Sequence, residues 1–122
     1  MNSLHDTYAN QLFNLYSDTK STRVSLVKEQ SKYDRILSAF YHEIESKDIS
    51  PSNAYDYVVA LQNILLKRRA IKQELHHIGI IERSLHDNVE ALKPKRNAAV
   101  KRTTDYNRTL NVNLTINDVL YK

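Results

Sequence analysis

The sequence predicts an all-α fold, a long antiparallel helical hairpin of coiled-coil type, with a short C-terminal β-strand and assembly into an oligomer. Three observations carry this. From Pro51 to Leu92 the apolar residues Tyr57, Leu61, Ile64, Ile71, Leu75, Ile78, Leu85, Val89 and Leu92 fall on one seam. With Arg68 and Glu82 filling its two gaps, the seam steps alternately by four and three, the heptad spacing of a helix packed lengthwise on another. A matching seam, Leu26, Gln30, Tyr33, Leu37, Phe40 and Ile44, precedes it, and one Gly and two Pro in 122 residues leave little material for the tight turns of an all-β chain.

The totals bound the rest. A chain of this length is one domain with one core, divided here into a hairpin over 1–93 and a basic segment plus terminal strand over 94–122. The absence of Cys removes disulfides, thiolate metal sites and Cys nucleophiles, and fits a reducing cytoplasm. Apolar runs are only a few residues long, which predicts neither a membrane span nor a signal-peptide core. Net charge is +4 and the pI about 9.3. The excess gathers between Lys93 and Arg108, where Lys93, Lys95, Arg96, Lys101, Arg102 and Arg108 stand against Asp105 alone.

The first helix is expected to reach back to the N-terminus through a looser stripe, Leu4, Tyr8, Leu12, Leu15 and Tyr16, and across the polar patch Ser17 to Thr22. Lys47 to Pro51 is the turn: Ser50 caps the second helix, Pro51 suits its first position, and Asn53 follows in the first turn. A short connection makes the helices antiparallel neighbours, and in such a hairpin facing residues keep a constant sum of positions. Ile44 then meets Ala54, Phe40 meets Tyr57, Leu37 meets Leu61, Tyr33 meets Ile64, and Leu26 meets Ile71. The polar seam residues Gln30 and Arg68 oppose each other, Tyr16 opposes Glu82, and Leu12 opposes Leu85. Off the seam lie Phe13, Val27, Ile36 and Tyr41 on the first helix and Val58, Leu65, Leu66, Ile80 and Ile81 on the second. One partner helix cannot cover so wide a stripe. It predicts a second buried surface, in a homo-oligomer or under a returning C-terminal segment.

Pro94 is expected to end the long helix, with a short basic helix over 95–105. Leu110, Val112, Leu114 and Ile116 alternate with polar residues and read as a β-strand. A lone strand needs a ladder, so its partner is expected from another copy or a target by edge pairing.

Among chemical motifs, Glu74-x-x-His77 has the spacing of carboxylate-bridged metal sites, as does His42 with Glu45. The first pair flanks seam residue Leu75 and is expected at the seam's edge, so no metal or other cofactor is predicted. Gly79 reads as a weak point in the helix or as room for a close neighbour. No phosphate loop, nucleophile elbow or zinc-protease motif occurs, which predicts a binding protein, not an enzyme. The basic segment, Arg96 and Lys101 included, offers cations for phosphate oxygens and Tyr106 a face for a base. A solvated charge run, a phosphate-bearing ligand, nucleic acid and an acidic protein surface all remain readings of it.

The run Ile36-Leu37-Ser38…His42-Glu43-Ile44-Glu45, then Ser52-Asn53-Ala54-x-x-Tyr57, then Leu61-x-x-x-Leu65-x-x-Arg68-Arg69-x-x-Lys72-x-Glu74-Leu75 resembles a group of small tailed-phage helical-hairpin proteins, over roughly residues 26–76. In architecture and segment order the chain is also similar to the Thoeris anti-defence sponges, oligomeric phage proteins that sequester cyclic nucleotide signals. The resemblance implies a phage-encoded protein acting in the host cytoplasm to sequester an anionic nucleotide, with Arg102, Tyr106 and Arg108 contacting phosphate and base. An inhibitor docking on a host protein, a nucleic-acid-binding accessory protein and a virion or scaffolding component are the alternatives.

Overall fold

A computed structural model describes residues 3–112 and 114–120. Three helices follow in order: α1, Leu4–Ser46; α2, Pro51–Leu110; and α3, Ile116–Leu120. The described residues hold no strand, and α1 and α2 pack against each other as an all-α hairpin. Long-range packing divides into two units, Lys20–Ile80 and, apart from it, the chain up to Thr19 with the chain from Ile81 onward.

Each helix starts on a side-chain cap that the sequence spells out, reciprocal at α1 and one-way at α2 and α3. Ser3 donates from its backbone N–H and Oγ to Asp6 Oδ2 at 3.3 and 2.9 Å, and Asp6 N–H returns to Ser3 Oγ. At α2, Ser50 N–H donates to Asn53 Oδ1 at 2.8 Å, with Pro51 in the first helical position as expected. At α3, Thr115 N–H and Oγ1 both donate to Asp118 Oδ2, at 2.9 and 3.0 Å. Such boxes satisfy backbone donors that a helix start otherwise leaves open.

In the unit Lys20–Ile80, the heptad positions Leu26, Gln30, Tyr33, Leu37, Phe40 and Ile44 are buried or half-buried, as are Ala54, Tyr57, Leu61, Ile64, Arg68, Ile71, Leu75 and Ile78 opposite them. Phe40 and Tyr57 meet edge-on, with ring centroids 6.2 Å apart, where the hairpin register puts them. The polar crossing differs from expectation: Arg68 Nε donates to Asp34 Oδ1 at 2.6 Å. A guanidinium in a seam extends its head to the solvated rim, and a carboxylate one turn beyond Gln30 is the stronger partner there. Gly79 lies helical and half-buried.

The other unit repeats the scheme. Ala9, Leu12, Tyr16 and Thr19 on α1 and Glu82, Leu85, Val89 and Leu92 on α2 are shielded, Val89 to 1% exposure. Tyr16 packs on His86, centroids 5.8 Å apart, and Lys93 Nζ sits 5.6 Å from the Phe13 ring centroid. Arg96 pairs with Asp6 just as Arg68 pairs with Asp34; the two pairs stand four heptads apart on both helices. Helix α1 passes through the Ser17 to Thr22 patch unbroken, and Thr19 Oγ1 bonds back to the Tyr16 carbonyl at 2.8 Å.

Two expectations at the C-terminal end are corrected. Helix α2 does not stop at Pro94 but continues to Leu110, absorbing the 95–105 segment and crossing the 93/94 boundary. Proline removes one N–H and crowds the preceding turn, and the shielded seam residues Leu92 and Arg96 on either side offset that cost. Nor do Leu110, Val112, Leu114 and Ile116 form a strand. Leu110 is the last residue of α2 and Ile116 the first of α3. Asn111 takes the left-handed conformation, φ 57°, while its N–H donates to the Arg108 carbonyl at 3.2 Å and Val112 N–H to the Asn107 carbonyl at 2.8 Å. This is a Schellman helix stop, a role Asn fills because its short polar side chain tolerates positive φ. The alternation thus holds a helix stop and a helix start back to back, and its described residues form no strand. Asn113 lies outside the described residues.

Candidate functional site

A candidate ligand surface lies in the unit made of the chain up to Thr19 and from Ile81 onward. Helix α3, brought back by the Asn111 stop, leaves a cleft of about 550 Å³ against α2 and the start of α1. Ala99, Val100 and Ile116 supply its apolar lining, Ser3, Thr103, Thr104 and Thr115 its hydroxyls, and the His5 imidazole and the Arg96 guanidinium its edge. A second cleft of about 370 Å³ shares Thr104 and Thr115 with it and carries Arg108, Asn107 and Asn111. The two therefore adjoin, one largely apolar with Arg96 at its edge and one of mixed polarity with Arg108. Small-molecule sites combine these features within this size range.

Electrostatically the cleft is anchored at Arg96. Its guanidinium pairs with Asp6, and Nη2 lies 3.4 Å from His5 Nδ1. Arg96 Nε is buried without a hydrogen-bond partner among the described residues. Asp6 thus holds the N-terminal cap of α1 and the seam cation of α2 at once. Asp118, which caps α3, has its carboxyl held below the ordinary value of 3.8 by hydrogen bonds from the Thr115 backbone and hydroxyl.

The expected ligand residues do not converge on one place. Arg108 lines the polar cleft and Arg96 the apolar one. Lys101, Arg102 and Tyr106 are exposed on the last turns of α2. Arg102 and Tyr106, four residues apart, share a helix face, and each lies roughly 120° to 160° around the helix from Arg108. Ser3, His5 and the three threonines escaped the sequence reading. The boxes Ser3-x-x-Asp6 and Thr115-x-x-Asp118 were the available signal, since they place two helix starts; that these starts meet beside Thr104 is a matter of packing.

Elsewhere, Glu74 and His77 are exposed, and His42 Nδ1 stands 3.7 Å from Glu45 Oε2 on the surface. Among the described residues no group of three or more His, Cys, Asp or Glu stands together, and no helix is long and apolar enough to cross a membrane. No known protein family, curated relative or solved structure matches the chain.

Proposed function

We propose that this is a non-enzymatic, self-associating binding protein that captures a small anionic nucleotide in the paired clefts beside α3. The adjoining of an apolar cleft with hydroxyl walls to a more polar one bearing Arg108 is the observation that supports it most. A nucleotide has the same two halves, a flat base with polar edges and a phosphate. In this reading the base lies against Ala99, Val100 and Ile116, with threonine hydroxyls at its edges, and Arg108 takes the phosphate. Lys101 and Arg102 raise the local concentration of anions without touching the bound molecule, and Tyr106 stands on the Arg102 face, away from the phosphate. The resemblance to tailed-phage proteins supports a purpose, the withdrawal of a host defence signal within the infected cell's cytoplasm.

A thermal-shift panel of cyclic mono- and dinucleotides tests this. Binding to the folded state alone raises the melting temperature, by an amount that grows with ligand concentration. Arg108→Ala is expected to weaken the binding roughly tenfold to a hundredfold, the worth of a charge-assisted hydrogen bond, whereas Arg102→Ala weakens it only a few-fold and less so in high salt. Silence across the panel, or equal losses from both substitutions, overturns the proposal.

A further inference from the structure

The apolar residues off the seam remain exposed, and in the unit Lys20–Ile80 they form a pattern. On α2, Tyr55, Val58, Leu65 and Leu66 are 75%, 64%, 41% and 57% exposed. Val58, Leu65 and Leu66 line a groove of about 410 Å³ together with Leu61, Gln62 and Arg69. The positions pair off about Gln62: the half-buried Val59 and the exposed Leu65 stand three places to either side, Val58 and Leu66 four, Tyr55 and Arg69 seven. All fall within roughly 60° of Gln62 around the helix. A two-fold contact between identical helices sets residue i on residue j and j on i, and about Gln62 that puts apolar on apolar at the inner positions and an aromatic ring opposite a guanidinium at the outer one.

The accessible area leaves room for such a partner. The chain exposes 9520 Å², against about 6,800 Å² for a typical folded monomer of its mass. The excess of roughly 2,700 Å² exceeds the roughly 800 Å² per partner of a standard interface and is ample for a stable dimer.

We infer that this face seats a second copy of the same chain, α2 against α2 antiparallel, with the two-fold axis at Gln62. Val58 then packs on the partner's Leu66 and Val59 on the partner's Leu65. Tyr55 stacks under the partner's Arg69, an aromatic–guanidinium pair of the sort that anchors interfaces, and the two Gln62 amides meet. This rests on the self-association put forward above and names its face; nucleotide capture stands or falls separately, at the other unit.

The chain contains no Cys, so single cysteines report the axis directly. Sedimentation of the full chain should show an oligomer at micromolar concentration. A short bis-maleimide should link Gln62→Cys into a covalent dimer in high yield and Asn63→Cys, one position around the helix, at least tenfold less. Leu66→Asp should yield a monomer of unchanged helical circular dichroism, as expected for a substitution on an exposed face. A monomeric wild type overturns both the self-association and this face. An oligomer that survives Leu66→Asp, or that links through Asn63→Cys as readily as through Gln62→Cys, overturns the face alone.

Discussion

Single side chains carry unequal duties in a seam this narrow. Asp34 and Arg68 form a pair with side chains 47% and 31% exposed, so solvent screens it and its contribution is about 0.5 kcal/mol. Asp6 makes the equivalent pair with Arg96 and also caps α1. Asp6→Ala is therefore expected to cost about 1–2 kcal/mol, the sum of a lost cap and a lost pair, and Asp34→Ala clearly less. Urea unfolding followed by circular dichroism compares the two; equal losses would mean that the cap contributes nothing.

Helices α2 and α3 each hold a local conflict that a measurement can expose. Within α2, Pro94 sits in mid-helix without a donor, and Pro94→Ala should raise stability by about 1–3 kcal/mol. A destabilised Pro94→Ala would mean that the proline shapes a bend the packing needs. The start of α3 depends on a charged Asp118, whose folded-state pKa is depressed. A depressed carboxyl pKa stabilises above its unfolded value and loses that contribution as pH falls through the folded value. The cap should thus hold at neutral pH and open only below about pH 3.8, with the Thr115 amide proton moving in nuclear magnetic resonance as Asp118 titrates. Asn111 and Thr115 also show why the alternating stretch 110–116 misleads. Its apolar residues keep a two-residue period, but Asn111 tolerates positive φ and Thr115 caps, and these backbone preferences outweigh the period where no neighbouring strand offers a ladder.

For the molecule as a whole, most apolar side chains off the seam have no intramolecular cover. Leu66, Val58 and Ile80 are 57%, 64% and 45% exposed, and in the proposed assembly this makes stability and association parts of one equilibrium. The melting temperature should accordingly rise with protein concentration, by a few degrees over a hundredfold range. A midpoint independent of concentration would place the whole stability in the single chain.

The sequence by itself determined the two long helices, the Ser50–Pro51 start between them and the Phe40–Tyr57 register. Heptad spacing and capping act between residues a few places apart, or repeat so often that one register alone satisfies them. It also held the apolar face around Gln62. Which carboxylate takes Arg68, how α2 carries Pro94, and where Thr104, Thr115 and Arg108 gather beside the chain's beginning were decided by the folded arrangement. Those outcomes depend on distances between segments remote along the chain, where several partners satisfy the local chemistry equally and packing selects one.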